Sequence, residues 1–310
     1  MAWPALIALA GLYVYLAFAA PRFYAADNLR DIAIANVAVL LVSTGMTLVI
    51  VLGQIDISVG ALFAVCSVIC GTFAKMGVPM VFLPLVAAAA GTVLGATNGA
   101  LVSFVKAPSI VVTLATMVAW REALRWITNG AWIGGLSNTF QWFGLGQRLG
   151  EAIIIVAALL LFAALSWSAH NLSAIRAIYA TGSDAEAARL AGIPTSQIVF
   201  SVFALMGALT GIAALLNAIR FSDVPSNSGV NLELKAIAAV VVGGTPISGG
   251  RGDLAGTLVG VMLLGSIGPA LTFLAVSPFW EKAIQGGIIL TAVLIDAIGG
   301  WRERRMVEFA

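Results

Sequence analysis

Residues 32–60 read IAIANVAVLLVSTGMTLVIVLGQIDISVG. From Ile32 to Ile55 no side chain carries a charge. A helix rising about 1.5 Å per residue crosses a hydrocarbon layer of about 30 Å in about 20 residues, so this run predicts a membrane-spanning helix. The run then breaks at Gly53-Gln54-Ile55-Asp56-Ile57-Ser58-Val59-Gly60, and a second charge-free run continues from Ile57 to Ala74. Irregular backbone at membrane depth survives only where protein covers it or water reaches it. A carboxylate there, Asp56, must be paired or face water.

Outward from this break, further charge-free runs cover Met1–Ala20, Met76–Val105, Ala107–Trp120 (continuing through Arg121 and Glu122 to Ile127), Ala152–Asn171, Leu190–Ile219, Ala236–Gly250, Leu254–Trp280 and Ala283–Ile295. Together they predict an all-α, polytopic membrane protein: one transmembrane domain over residues 1–310, about ten spans, some broken at Gly-rich segments. The first run ends in Ala17-Phe18-Ala19, as a cleaved signal would, but lacks a basic start and is read as a retained span. Composition agrees. Apolar residues make up 61% and charged residues 10% of the 310, against about 45–50% and about 25% in soluble domains. Mean hydropathy is +1.04. So few polar side chains cannot cover a surface in water, which excludes a soluble enzyme, a nucleic-acid binder and a disordered chain. A net charge of +2 is too small to imply a polyanionic partner. The stretch with Arg176 and Arg189 and the tail Trp301–Arg305 mark the cytoplasmic side. Arg22, Arg30 and Arg148 then fall outside, and an even span count puts both termini inside.

A second break, Gly243-Gly244-Thr245-Pro246-Ile247-Ser248-Gly249-Gly250, shares the template G-x-x-x-I-S-x-G with the first. Matching interruptions in two halves of a chain point to a transport pathway; the alternative is two cytoplasmic turns, the first of which catches an aspartate. Gly91, Gly95 and Gly99, Gly207 with Gly211, and Gly256 with Gly260 repeat a four-residue spacing that lets helix backbones approach closely; packing within the chain is favoured over a subunit interface. Ser183 through Glu186 form a capping box, and Gly192 before Ile193-Pro194 ends a helix of about eight residues. Such a short alanine-rich helix suits a knob seated in another protein's groove. The loop Asn129–Gly150, with Trp132 and Trp142, either docks a partner, folds back as a gate or is a linker. Glu122 is expected to pair with Arg121 and Arg125. Cys66 and Cys70 read as small buried residues, and the single histidine, His170, makes neither a metal site nor a triad. No catalytic residue, metal site or bound cofactor is expected. No P-loop, HExxH or GxSxG occurs, so ATP-driven movement through this chain needs an ATPase on another.

At these residues the chain resembles the membrane permeases of bacterial ABC importers for monosaccharides, the group containing the ribose permease. Gly45-Met46-Thr47-Leu48-Val49-Ile50 leading into Gly53–Gly60 is similar to that group's G-M-T-x-V-I followed by S/G-G-I-D-L-S-V-G. Pro108–Met117 resembles P-x-F-I-x-T-L-x-x-M. Arg176–Ile193 resembles R-x-I-Y-A-x-G-G-N-x-x-A-A-R-L-S-G-I. Glu233–Thr245 matches E-L-x-A-I-A-A-V-V-x-G-G-T and continues as Gly249-Gly250-Arg251-Gly252. Gln54, where glycine is usual, and Gly182-Ser183-Asp184, where G-G-N is usual, depart from the pattern.

The resemblance implies a permease of the bacterial inner membrane working as a pair, with a copy or a close relative. Two ATPase subunits would carry ATP and Mg, and a periplasmic binding protein would deliver the sugar. It also implies a coupling helix at about 184–192, with Asp184, Glu186, Ala187, Ala188, Arg189 and Gly192 at the ATPase. Gln54, Asp56, Ser58, Gly60, Thr245 and Ser248 would line the solute pathway. Asp56 alternatively holds the broken helix by accepting backbone N–H groups. Rhamnose, xylose, arabinose, a nucleoside or a furanosyl signalling molecule are alternative cargoes. An ion-coupled secondary transporter is the alternative mechanism. A membrane-embedded enzyme is disfavoured, because no nucleophile–base or metal constellation exists.

Overall fold

A computed structural model describes residues 3–277, 279–291 and 294. The tail Trp301–Arg305, used above for orientation, lies outside the described residues. Eleven α-helices are delimited: α1 Trp3–Ala19, α2 Ala26–Val51, α3 Val59–Lys75, α4 Leu83–Ser103, α5 Ser109–Thr128, α6 Gln147–Asn171, α7 Ser173–Ser183, α8 Ala185–Leu190, α9 Thr195–Ala218, α10 Leu232–Val242 and α11 Leu254–Phe273. Residues 280–291 are also helical. The chain is an all-α membrane protein, and five of these stretches are individually long and apolar enough to cross a bilayer.

Helices α4 and α9 form the centre, packed antiparallel. Close approach explains the glycines. A Cβ on Gly91 would strike the Gly207 carbonyl, one on Gly95 the Phe203 carbonyl, and one on Gly211 the Ala87 carbonyl. In lipid, where apolar association gains little from water release, contact of this kind holds helices together. Gly260 lies on the Ala239 carbonyl and Gly243 on that of Gly256, joining α10 to α11. All three four-residue glycine spacings therefore pack helices inside the chain.

Since α9 follows α8, its first residues and the last turn of α4 mark one end of the bundle, called here the α8 end. At the opposite end the loop before α6 folds back. Ile133 and Val224 exchange backbone hydrogen bonds of 2.9 and 3.0 Å, and the Trp142 N–H donates to the Ile219 carbonyl. Arg30, near the start of α2, pairs at 2.7 Å with the buried Glu151 near the start of α6. This pair is anchored further by Gln147, whose amide donates to Glu151.

One span departs from expectation. The run Ala236–Gly250 is not a helix of that extent. α10 covers only residues 232–242, a rise of about 16 Å, half that of α11. The chain makes the rest of this crossing as non-helical backbone through residues 222–231, packed along α3: Val224 lies beside Gly71, and Gly229 beside Gly60. Asn231, at φ +62°, turns this segment into α10.

Replacing Gly207 with leucine should destabilise the bundle by about 1–3 kcal/mol or more, because α4 cannot yield its backbone. Gly11, which meets nothing within 4 Å, tolerates alanine. Thermal unfolding of the two detergent-purified variants checks this: Gly207→Leu melts earlier, while Gly11→Ala matches the parent.

Candidate functional site

Ending a helix inside a membrane leaves carbonyls without partners. At the end of α2 the chain turns back at once: Gly53, at φ +70°, donates its N–H to the Ile50 carbonyl, and Gln54 donates to Val49. The Val51 carbonyl is met from elsewhere. Gly250 of the second break donates its N–H to it at 2.8 Å. Gly249, at φ +83°, lies against Gly53, where a Cβ would sit 2.7 Å from the Gly53 nitrogen. The two glycine-rich breaks, about 200 residues apart in sequence, are thus packed on each other.

A third segment joins them. Gly182, in the last turn of α7, lies so close to the Val51 carbonyl that no Cβ fits. The Ser183 hydroxyl donates to the Gly250 carbonyl at 3.2 Å, and the Tyr179 hydroxyl donates to Gly252 at 2.9 Å. Burial and the nearby Asp253 charge push the Tyr179 hydroxyl above its usual pKa, so it keeps its proton. α8 hangs directly from this junction.

The cap of α8 corrects the sequence reading. Ser183 remains helical in α7, so it does not act as N-cap. Asp184, in extended conformation, takes that position and accepts from the Glu186 and Ala187 N–H groups at 3.0 and 2.9 Å. Glu186 does not reach back to close a box; it pairs with Arg189 on the exposed face. The Arg189 guanidinium, by hydrogen bond and charge, holds the Glu186 carboxyl below its ordinary pKa. The helix is six residues long rather than about eight. Gly192, at φ +83°, ends it: Gly192 donates to Arg189 and Ile193 to Ala188, a Schellman pair. Asp184, Glu186, Ala187, Arg189 and Gly192 are exposed, whereas Ala188 is buried and faces the bundle. Leu190, 77% exposed at the helix end, was missed. Its signal was an apolar residue in the last turn of a short polar helix.

Within the first break Asp56 and Ser58 are fully buried. Asp56 Oδ1 accepts the Ser58 N–H at 2.9 Å and its hydroxyl at 2.6 Å, and the Asn98 amide of α4 donates to Ser58 Oγ at 2.8 Å. The carboxylate therefore braces the start of α3, one of the two roles the sequence left open. Asn98, a lone amide in a Gly/Ala-rich run, was not singled out beforehand. Gln54 is half-buried, Thr245 is buried beside Gly252, and Ser248 is exposed at the α8 end. Gly60 stands apart from them, against Glu233 and within reach of Arg121. Arg121 thus turns toward Glu233, and of the expected ion pairs only Glu122 with Arg125 forms, at 3.0 Å. None of the six expected pathway residues lines the large cavity between α2, α10, α11 and residues 279–289.

A multi-pass bundle with paired helix breaks and an exposed knob at their junction defines a membrane permease. The chain matches, over residues 28–293, the family described as branched-chain amino acid transport system / permease component, and it belongs to that family. It is 34% identical over 295 residues to the ribose import permease protein RbsC of Escherichia coli K12, covering 94% of this chain and 92% of that one. It is 37% identical over 270 residues to RbsC of Bacillus subtilis 168, covering 86% and 83%. It is 31% identical over 292 residues to the autoinducer 2 import system permease protein LsrC of Yersinia pseudotuberculosis, covering 94% and 83%. The resemblance to importer permeases of the monosaccharide group holds over nearly the whole chain. No solved structure matches it significantly.

Replacing Asp56 with alanine leaves the Ser58 N–H and hydroxyl without their acceptor. About 1–3 kcal/mol of stability should be lost. Asp56→Asn keeps a carbonyl oxygen and should lose less; unfolding of the purified variants in detergent ranks the three proteins.

Proposed function

We propose that this permease is the membrane subunit of an ATP-binding-cassette importer for a monosaccharide or a related small polar solute. It acts in the bacterial inner membrane with the α8 end in the cytoplasm. Its partners are ATPase subunits that hold ATP and Mg, a second permease subunit, and a periplasmic binding protein. The chain itself supplies no cofactor and hydrolyses nothing.

The observation that carries this reading is the junction of Val51, Gly182 and Gly250. An ATPase that seats α8 and closes on ATP pulls on α7, and α7 is hydrogen-bonded to the second break and packed on the first. Movement at an exposed six-residue helix is thereby applied to the irregular backbone where α2 and α10 end. Glu186 and Arg189 supply the polar contacts to the ATPase, and Leu190 adds an apolar one. Gln54 and Ser248 border the solute's exit at the α8 end. Asp56, Ser58, Gly60 and Thr245 shape that exit from behind. Sugar cargo is supported by the ribose permeases among the relatives, and a furanosyl signalling molecule by the autoinducer 2 permease.

Replacing Glu186 and Arg189 together with alanine should cut recovery of the ATPase with the purified permease while membrane insertion stays normal. Full recovery would remove the assignment of α8. Ser183→Ala combined with Tyr179→Phe should leave the ATPase bound but lower the solute moved per ATP hydrolysed several-fold, as measured in proteoliposomes. An unchanged ratio would show that force reaches the breaks by another route.

A further inference from the structure

A carboxylate in the first break has to be paired or to face water, and Asp56 does neither. It is fully buried between α2 and α3. Among the described residues it makes no ion pair, and the side chains that act on it are the neutral Ser58 and Asn98. The elements around it bring no charge close. α4 and α9 carry no titratable side chain. On α2 the nearest charge is Asp31, near its far end, and α3 has only the thiols Cys66 and Cys70 before Lys75. Lys106 precedes α5, and Arg121 follows about three turns into it. Glu233 of α10 lies against Gly60, and the second break is followed by Arg251 and Asp253; none of these is among the groups acting on Asp56. A carboxyl buried without a positive partner takes up a proton rather than keep its charge.

The hydrogen bonds around Ser58 say where that proton goes. The Ser58 hydroxyl has one hydrogen, given to Asp56 Oδ1 at 2.6 Å, so the Asn98 atom 2.8 Å from Ser58 Oγ is the N–H side of the amide. Two oxygens are left over, Asp56 Oδ2 and Asn98 Oδ1. Both are buried, and neither has a hydrogen-bond partner among the described residues. With Asp56 ionised, each is an acceptor lacking a donor. One hydrogen satisfies both. We propose that Asp56 and Asn98 form a proton-binding site, in which Asp56 is a neutral acid whose Oδ2–H is donated to Asn98 Oδ1. Asp56 is then a positioning residue with two holds. Its Oδ1 braces the start of α3, and its proton ties the first break to α4, whose glycines lock onto α9. Ile55, one residue before, is tied to α5 by Ser109 and Thr113. Losing the proton sets two bare acceptors against each other and leaves a charge that must find water, so the break parts from α4. The site makes the first break sensitive to pH, whatever solute the permease carries. A fold that holds a proton which the unfolded chain has lost is stabilised at low pH. That stabilisation fades as pH rises above the ordinary aspartate value of about 3.9, and levels off once Asp56 ionises in the fold.

The test is infrared spectroscopy of the purified full-length permease in lipid nanodiscs at about pH 5.5, well above the usual aspartate value of about 3.9. The wild type should show the C=O band of a neutral carboxylic acid, and Asp56→Asn should lack it. Asn98→Leu should move that band to higher frequency, because the O–H loses its acceptor; this shift identifies the band even if Asp56→Asn fails to fold. Thermal unfolding gives a second readout. The Tm of the wild type minus that of Asp56→Asn should fall by several degrees as pH rises from about 5 to about 8, other titrating groups cancelling in the difference. A carboxylate band in place of the neutral one, or a Tm difference that stays constant with pH, would overturn the site. So would a wild-type Tm that rises when Na⁺ replaces choline and a variant Tm that does not, since a cation would then stand where the proton is placed.

Discussion

The carbonyl of Val51 is the constraint on which the rest of the structure depends. A helix that stops within a bilayer exposes acceptors that lipid cannot satisfy. Here the solution is a second interrupted helix, whose Gly250 N–H completes the bond at 2.8 Å. The first break thus depends on the second, and Gly53 and Gly249 lie against each other where the two meet. The same carbonyl is approached by the bare backbone of Gly182, so the segment leading to α8 is packed where the two breaks meet. A side chain at any of these positions would separate three parts of the chain at once.

From that junction the division of labour along the bundle follows. The irregular, side-chain-poor backbone is gathered at the α8 end. The large cavity between α2, α10, α11 and residues 279–289 lies between the middle and the opposite end, where α10 begins and the loops around Ile133 and Val224 bind each other. Between them the α4–α9 contact, glycine on carbonyl, allows little compression. Rigid centre and jointed periphery suit a conduit in which a small displacement at one end alters access at the other. The braces are local and polar: Asp56 on Ser58 and Asn98 at one level, Arg30 on Glu151 at the other.

Much of this was legible in the residues. Charge-free runs located the spanning segments because hydrocarbon selects length and polarity directly, and α2, α4, α6, α9 and α11 fall within seven residues of the expected bounds. The repeated glycine spacings announced helix contacts correctly. Residues 222–242 were misread for a physical reason. The span there is part irregular chain and part half-helix, and its irregular part carries Asp223, Ser226, Ser228 and Asn231, which hydropathy reads as loop. The cavity between α2, α10 and α11 was not legible for a different reason: its polar residues are scattered singly over four elements and converge only in three dimensions. The cap of α8 was misplaced by one residue because Ser183 and Asp184 are both good caps, and only the hydrogen bond from Ser183 to Gly250 decides between them.

The central claim is that α7 and the second break move as one body when nucleotide drives the ATPase. Spin labels at Ser173 and Ser248, with a reference label at Thr97 on α4, measure this in the assembled importer with and without trapped ATP. The Ser173–Ser248 distance should be the same in both states, while the Ser248–Thr97 distance changes. A Ser173–Ser248 distance that shifts on ATP binding while Ser248 holds its place relative to Thr97 would contradict the claim.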